Sequence, residues 1–94
     1  MDLAKTTWCD EYKVRLTFGH NNVVEYEDFE GSCYLKGTYE TCNNKLTLKY
    51  TEVITSNEGK YVFSNPDIEE YLYKIKKNKL ILKSNSRKKE YMKI

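Results

Sequence analysis

Apolar and polar side chains alternate with a period of two along nearly the whole chain, the pattern of strands with one buried and one wet face. In the run from Tyr12 to Phe18, the residues Tyr12, Val14, Leu16 and Phe18 fall on one face and Lys13, Arg15 and Thr17 on the other. Gly19-His20-Asn21-Asn22 follows as a tight turn, because glycine and asparagine tolerate the positive φ angles that hairpins require. Val23 to Phe29 returns as a strand, Glu30-Gly31-Ser32 breaks it, and Cys33 to Thr41 forms the next, with Leu35, Gly37 and Tyr39 on one face. A glycine inside such a run allows a bend or a close backbone approach. Asn43-Asn44 then turns the chain into Lys45 to Ile54, with Leu46, Leu48 and Tyr50 inward.

This hairpin recurs thirty-four residues later in the same register. Tyr39, Asn44, Lys45, Leu46, Leu48 and Lys49 match Tyr73, Asn78, Lys79, Leu80, Leu82 and Lys83. Two copies are too few for a solenoid, so they are one hairpin solution used twice in one sheet. Between them, Thr55 to Glu70 is the only long stretch without alternation. There Asn65-Pro66-Asp67 has the form of an N-cap, a helix-starting proline and an acidic first turn. Thr7-Trp8-Cys9 predicts an opening strand whose Trp plugs one barrel end, and Lys88 to Ile94 a closing one. The expected fold is all-β: a single antiparallel up-and-down meander of seven or eight strands forming a small barrel, with at most one short helical turn near residues 66–70.

Composition agrees. The chain has 94 residues, enough for one domain, 1–94, with a single core. Nine tyrosines supply bulk that aliphatic side chains would normally provide, and tyrosine favours half-buried strand positions. Trp8, Tyr12, Leu16, Phe18, Tyr26, Leu35, Tyr39, Leu48, Tyr50 and Tyr73 compete for the interior, so side chains are expected to fill it. No segment is long and apolar enough to span a membrane as a helix. The first seven residues lack the apolar stretch of a secretory signal. The expectation is a cytoplasmic protein if the chain is complete as written, and an exported or lipoprotein-anchored one if a leader preceded it.

The three cysteines, Cys9, Cys33 and Cys42, predict reduced, half-buried thiols rather than a disulfide scaffold. Cys33 and Cys42 begin and end one strand, about 30 Å apart at ~3.3 Å per residue, whereas a disulfide needs Cα atoms within roughly 7 Å.

Thr7-Trp8, Phe18 with its glycine-containing turn, Gly37-Thr38-Tyr39, Lys45-Leu46-Thr47-Leu48, Tyr73-Lys74-Ile75 and Lys79-Leu80-Ile81-Leu82 stand in an order that resembles the small bacterial lipocalin-like, calycin-type domains. The opener departs from that pattern, with Thr6-Thr7 in place of Gly-Thr. The resemblance implies a β-barrel that binds rather than catalyses.

Candidate chemistry is sparse. His20, the single histidine, falls in a turn with no nucleophile beside it, and the gaps between Cys9, His20, Cys33 and Cys42 fit no zinc-finger or ribbon spacing. No phosphate-cradling loop or nucleophile elbow is present. The reading is therefore not an enzyme, with no catalytic residues, cofactor or metal.

Charge is more informative. Residues 1–70 carry seven Lys/Arg against thirteen Asp/Glu, a balance of −6, while residues 71–94 carry nine against one, a balance of +8. Lys74, Lys76, Lys77, Lys79, Arg87, Lys88 and Lys89 form a candidate basic interaction face, and Glu25, Glu27, Asp28 and Glu30 a candidate acidic one. Tyr61, Phe63, Tyr71 and Tyr91 are candidate aromatic anchors. The function expected is binding through the outer surface, foremost to another protein by a charged, Tyr-rich patch. Nucleic acid is the weaker partner, because arginine, which such sites prefer, is scarce. Two alternatives stand beside it: a small phage-encoded inhibitor that blocks a bacterial defence or nucleic-acid enzyme, and a carrier of a small apolar ligand in the barrel.

Overall fold

The computed structural model describes residues 3–28, 33–55, 59–85 and 87–94. Eight strands follow in chain order: β1 (Thr6–Cys9), β2 (Arg15–Phe18), β3 (Val23–Glu27), β4 (Cys33–Cys42), β5 (Lys45–Thr55), β6 (Gly59–Lys76), β7 (Lys79–Ser84) and β8 (Arg87–Lys93). Each pairs antiparallel with the next, and β8 returns to β1, so the sheet closes into a barrel. The closing seam is short. Trp8 lies opposite Lys93 and Cys9 opposite Met92, and the Ile94 amide donates to the Thr7 carbonyl at 2.9 Å.

The repeated hairpin is real in three dimensions. Both copies turn on a first residue with positive φ, Asn43 at 56° and Lys77 at 56°. In both, the second turn residue's carbonyl accepts from the strand that packs alongside: Asn44 from the Tyr73 amide and Asn78 from the Lys93 amide, each at 2.8 Å.

Two expectations need correction. The first strand of the Tyr12–Phe18 run starts only at Arg15. One oxygen of the Asp10 carboxylate accepts from the amides of Tyr12 (2.8 Å) and Val14 (2.9 Å), which folds residues 10–14 into a side-chain-capped turn. Tyr12 is thereby left outside, 72% exposed.

The helical turn near residues 66–70 is absent. The helical turn among the described residues is a 3-10 turn at His20–Asn22, and residues 66–70 belong to β6, with Asp67 to Leu72 paired along Tyr50 to Lys45. Pro66 is tolerated because Phe63 to Pro66 fall opposite the single residue Thr51, where the β5–β6 register breaks and no ladder hydrogen bond is asked of its missing N–H.

Inside, side chains at alternate positions meet from all eight strands. Leu3, Trp8, Phe18, Val24, Leu46 and Leu80 close one end, each 1% exposed or less, and Phe18 packs edge-on against Tyr39 at 4.9 Å. The Trp8 indole donates to the Thr6 hydroxyl at 2.8 Å, and Thr6 in turn donates to the Leu3 carbonyl. Leu16, Leu48, Tyr50 and Leu82 continue the core toward the other end, which is not filled.

Cys33 and Cys42 stand at the two ends of β4 as expected, and all three thiols are free. Cys42, however, is exposed rather than half-buried. No helix among the described residues is long and apolar enough to cross a membrane.

Candidate binding sites: a tyrosine-lined mouth and a lysine-rimmed groove

At the unfilled end, β3, β5, β6 and β8 bring Tyr26, Tyr50, Tyr71 and Tyr91 together around a cavity of about 300 Å³. Leu16, Leu48 and Leu82 form its floor, and Glu69 and Lys89 reach it from β6 and β8. Strand parity explains the cluster. Leu46 lies opposite Tyr71 and Leu48 opposite Glu69, and Leu80 lies opposite Tyr91, so these side chains share the inner face of the barrel wall. The Tyr71 hydroxyl donates to Glu69 Oε1 at 2.7 Å. Tyr26 and Tyr50 meet edge-on at 6.4 Å, and the Lys89 ammonium lies 5.7 Å from the centre of the Tyr71 ring.

Burial pushes the phenol of Tyr50 far above its ordinary value near 10.0, and those of Tyr71, Tyr91 and Tyr26 upward as well. The charge of Glu69 adds to all four, and its hydrogen bond adds to Tyr71. A raised folded-state value means that the folded protein holds these protons more tightly than the unfolded chain. The corresponding stability is complete below the unfolded value near 10.0 and is lost progressively as pH rises beyond it. Stability against urea is therefore expected to change little from neutral pH up to about pH 10 and to fall steeply above it. A phenolate titration in which every tyrosine ionises near its ordinary value would contradict this burial.

The outer wall of β6, β7 and β8 carries the second site. Outward positions pair as Leu72 with Lys83, Lys74 with Ile81 and Lys76 with Lys79, and Lys83 continues to Lys88. Lys74, Lys76, Lys83 and Lys88 thus rim an open groove floored by Leu72 and Ile81; Leu72 is 60% exposed. Lys79 and Lys88 share Glu90, at 2.9 and 3.4 Å, and the hydrogen bond from Lys79, then that from Lys88, holds the Glu90 carboxyl below its usual range. Lys74, Lys76 and Lys83 form no ion pair among the described residues.

Most of the candidate basic face is therefore one surface, with three exceptions. Lys77 stands in the β6–β7 turn and Arg87 at the start of β8, opposite Ser84, both exposed at the borders of the wall. Lys89 is corrected: its parity turns it to the mouth, away from the other lysines.

Among the anchors, Tyr71 and Tyr91 are not outer-surface residues, being 9% and 3% exposed with their rings inside the barrel. Phe63 is half-buried against the core, and Tyr61, 60% exposed, packs edge-on against it at 6.0 Å.

Glu25 and Glu27 lie outward on β3, with Asp28 just after it. Glu27 faces Arg15 at 4.0 Å, and Tyr34, its phenol pushed up to about 12 by burial and then by its hydrogen bond with Glu25, sits between them. Glu30 lies outside the described residues. In a ring of eight strands β3 and β7 are four apart, so the acidic and basic surfaces are opposite walls of one barrel.

Reading the alternation missed Leu72, Ile81 and Glu69 as site residues. A signal for the first two was present: Tyr71-Leu72-Tyr73 and Leu80-Ile81-Leu82 are runs of three apolar residues within alternating strands, so the middle residue of each must face outward. Glu69 gave no such signal, because its inward position depends on the register set by the Thr51 bulge. No protein-family model, no curated protein and no solved structure matches this chain.

Proposed function

We propose that this protein is a non-enzymatic binding module, a lipocalin-like barrel in architecture, that grips an acidic protein surface with the wall formed by β6, β7 and β8. The observation that carries the reading is the groove in which Lys74, Lys76, Lys83 and Lys88 surround Leu72 and Ile81. Exposed aliphatic side chains gain free energy when a partner covers them, at roughly 25 cal/mol per Å². The surrounding ammonium groups speed encounter with a negative partner and disfavour a positive one. Among the described residues, Lys74, Lys76 and Lys83 form no ion pair with a carboxylate.

Protein is favoured over nucleic acid because arginine is absent from the groove, in which Tyr73 is the one aromatic lining residue among those described. The acidic wall is less available for docking, since Glu27 faces Arg15, Glu52 holds Lys60 at 3.5 Å and Glu25 bonds Tyr34.

The test is a pull-down from lysate of the source cells, treated with nuclease, with the wild type, with K74E/K76E/K83E/K88E and with E25K/E27K. The wild type and E25K/E27K are expected to retain the same captured protein at low salt. The lysine variant should lose it, and raised salt should weaken it by screening. Equal capture by all three would dismiss the basic wall, and capture abolished by nuclease would transfer the reading to nucleic acid.

A further inference from the structure

We infer that the tyrosine-lined mouth is a binding site for a small organic ammonium ion, and that the ammonium of Lys89 occupies that site in the unliganded protein. Its volume of about 300 Å³ is at the lower end of the ~300–1,000 Å³ of small-molecule sites, which suits a ligand of few heavy atoms.

The lining selects the charge. The aromatic groups are Tyr26, Tyr50, Tyr71 and Tyr91, and the face of an aromatic ring attracts a cation within about 6 Å of its centre. Lys89 demonstrates this geometry from within the chain, with its Nζ 5.7 Å from the Tyr71 centroid. Among the described residues lining the cavity, Lys89 is the single cation and Glu69 the single carboxylate. The charges of Asp10, Asp28 and Asp67, which do not line the cavity, add to that of Glu69 in raising the phenols of Tyr91, Tyr26 and Tyr71 respectively. The field at the mouth is thus negative, against an anionic ligand. A neutral apolar ligand would strip water from Glu69 and the tyrosine hydroxyls without replacing their hydrogen bonds. An alkylated ammonium answers both demands, since its methyl groups meet Leu16, Leu48 and Leu82 while its charge meets Glu69 and the rings.

Lys89 reaches the site from the third position of β8, its residue is exposed, and no ion pair holds it among the described residues. It is therefore a displaceable occupant, and its removal should vacate the site rather than unfold the barrel.

Choline and its uncharged carbon isostere, 3,3-dimethylbutan-1-ol, are the probes, measured by isothermal titration calorimetry on the wild type, Lys89→Met and the double variant Lys89→Met/Glu69→Gln. Far-UV circular dichroism confirms that each variant is folded. Lys89→Met is expected to bind choline about tenfold more tightly than the wild type and about tenfold more tightly than the isostere, each step equivalent to ~1.4 kcal/mol. The added Glu69→Gln change should remove most of that gain. Equal affinity of Lys89→Met for the two probes would show a plain apolar cavity and overturn the inference. So would the absence of choline binding to Lys89→Met, or unchanged affinity in the double variant. None of these readouts involves Lys74, Lys76, Lys83 or Lys88, so the outcome is independent of the protein-binding wall.

Discussion

Gly37→Ala is expected to lower the unfolding free energy by about 3 kcal/mol, and Gly37→Val by more, the upper range for overpacking a tight site. A Cβ built on Gly37 would lie 1.8 Å from the Lys49 carbonyl oxygen and 2.7 Å from the Tyr50 Cα. Both obstacles are backbone, so no side chain can swing aside to make room. The crowding has a structural cause. Between Lys36 and Gly37 the register of β4 against β5 shifts, with Thr51 as the extra residue, and the strands bend inward as they do at barrel corners. On the far side of the same residue β6 leaves register too, so one bulge sets both the corner and the rim. For a domain of this size each kcal/mol moves the thermal midpoint by roughly 4–8 °C. Thermal melts followed by far-UV circular dichroism should therefore place Gly37→Ala more than about 10 °C below the wild type. A midpoint within a degree or two would show that the close approach relaxes at little cost. The same substitution should displace Tyr50, which faces Gly37 across the sheet, and so alter the mouth before the outer wall.

Trp8→Ala is expected to cost about 3–5 kcal/mol, the usual range for emptying a large aromatic site in a core. Trp8 is fully buried and is the single tryptophan of the chain. Its indole also donates to the Thr6 hydroxyl that bonds Leu3 at the closed barrel end, so its loss leaves a cavity and removes one of the two hydrogen bonds of that hydroxyl. Small domains have total stabilities of only ~5–15 kcal/mol, and this one has a single core to draw on. Urea titration monitored by circular dichroism should show the midpoint falling by half or a large part of its wild-type value with an unchanged slope. A loss below about 1 kcal/mol would mean that the end is closed by its other residues and that Trp8 is not the plug.

The alternation was enough to read most of the architecture. Trp8, Leu16, Phe18, Leu48 and Tyr50 face inward as the period of two requires, and Tyr39 and Tyr73 occupy equivalent places, opposite Leu48 and Leu82, because the hairpin repeats in register. Local signals failed where a longer-range interaction competed with them. Asn65-Pro66-Asp67 carries the marks of a helix start, but the segment that follows gains more by pairing with Lys45 to Tyr50 than a single turn of helix could offer. Tyr12 fits the alternating pattern, yet Asp10 draws the neighbouring amides into a turn and leaves its ring in solvent. The candidate surfaces divide in the same way. The concentration of lysines after Tyr71 was plain in the chain, and so was the acidic run on β3.

What the amino-acid sequence determined by itself is most of the hairpins, the inward and outward faces of the strands that alternate cleanly and the separation of charge along the chain, because all three follow from period, turn residues and composition. Closure decided the rest. Only when β8 meets β1 do the acidic and basic stretches become opposite walls, and only the bulge at Thr51 sets the register that turns Glu69 inward and gathers four tyrosines from four strands at one end. Such placements depend on strand order, stagger and the number of strands in the ring. These are properties of residues far apart in the chain, so no local pattern carries them.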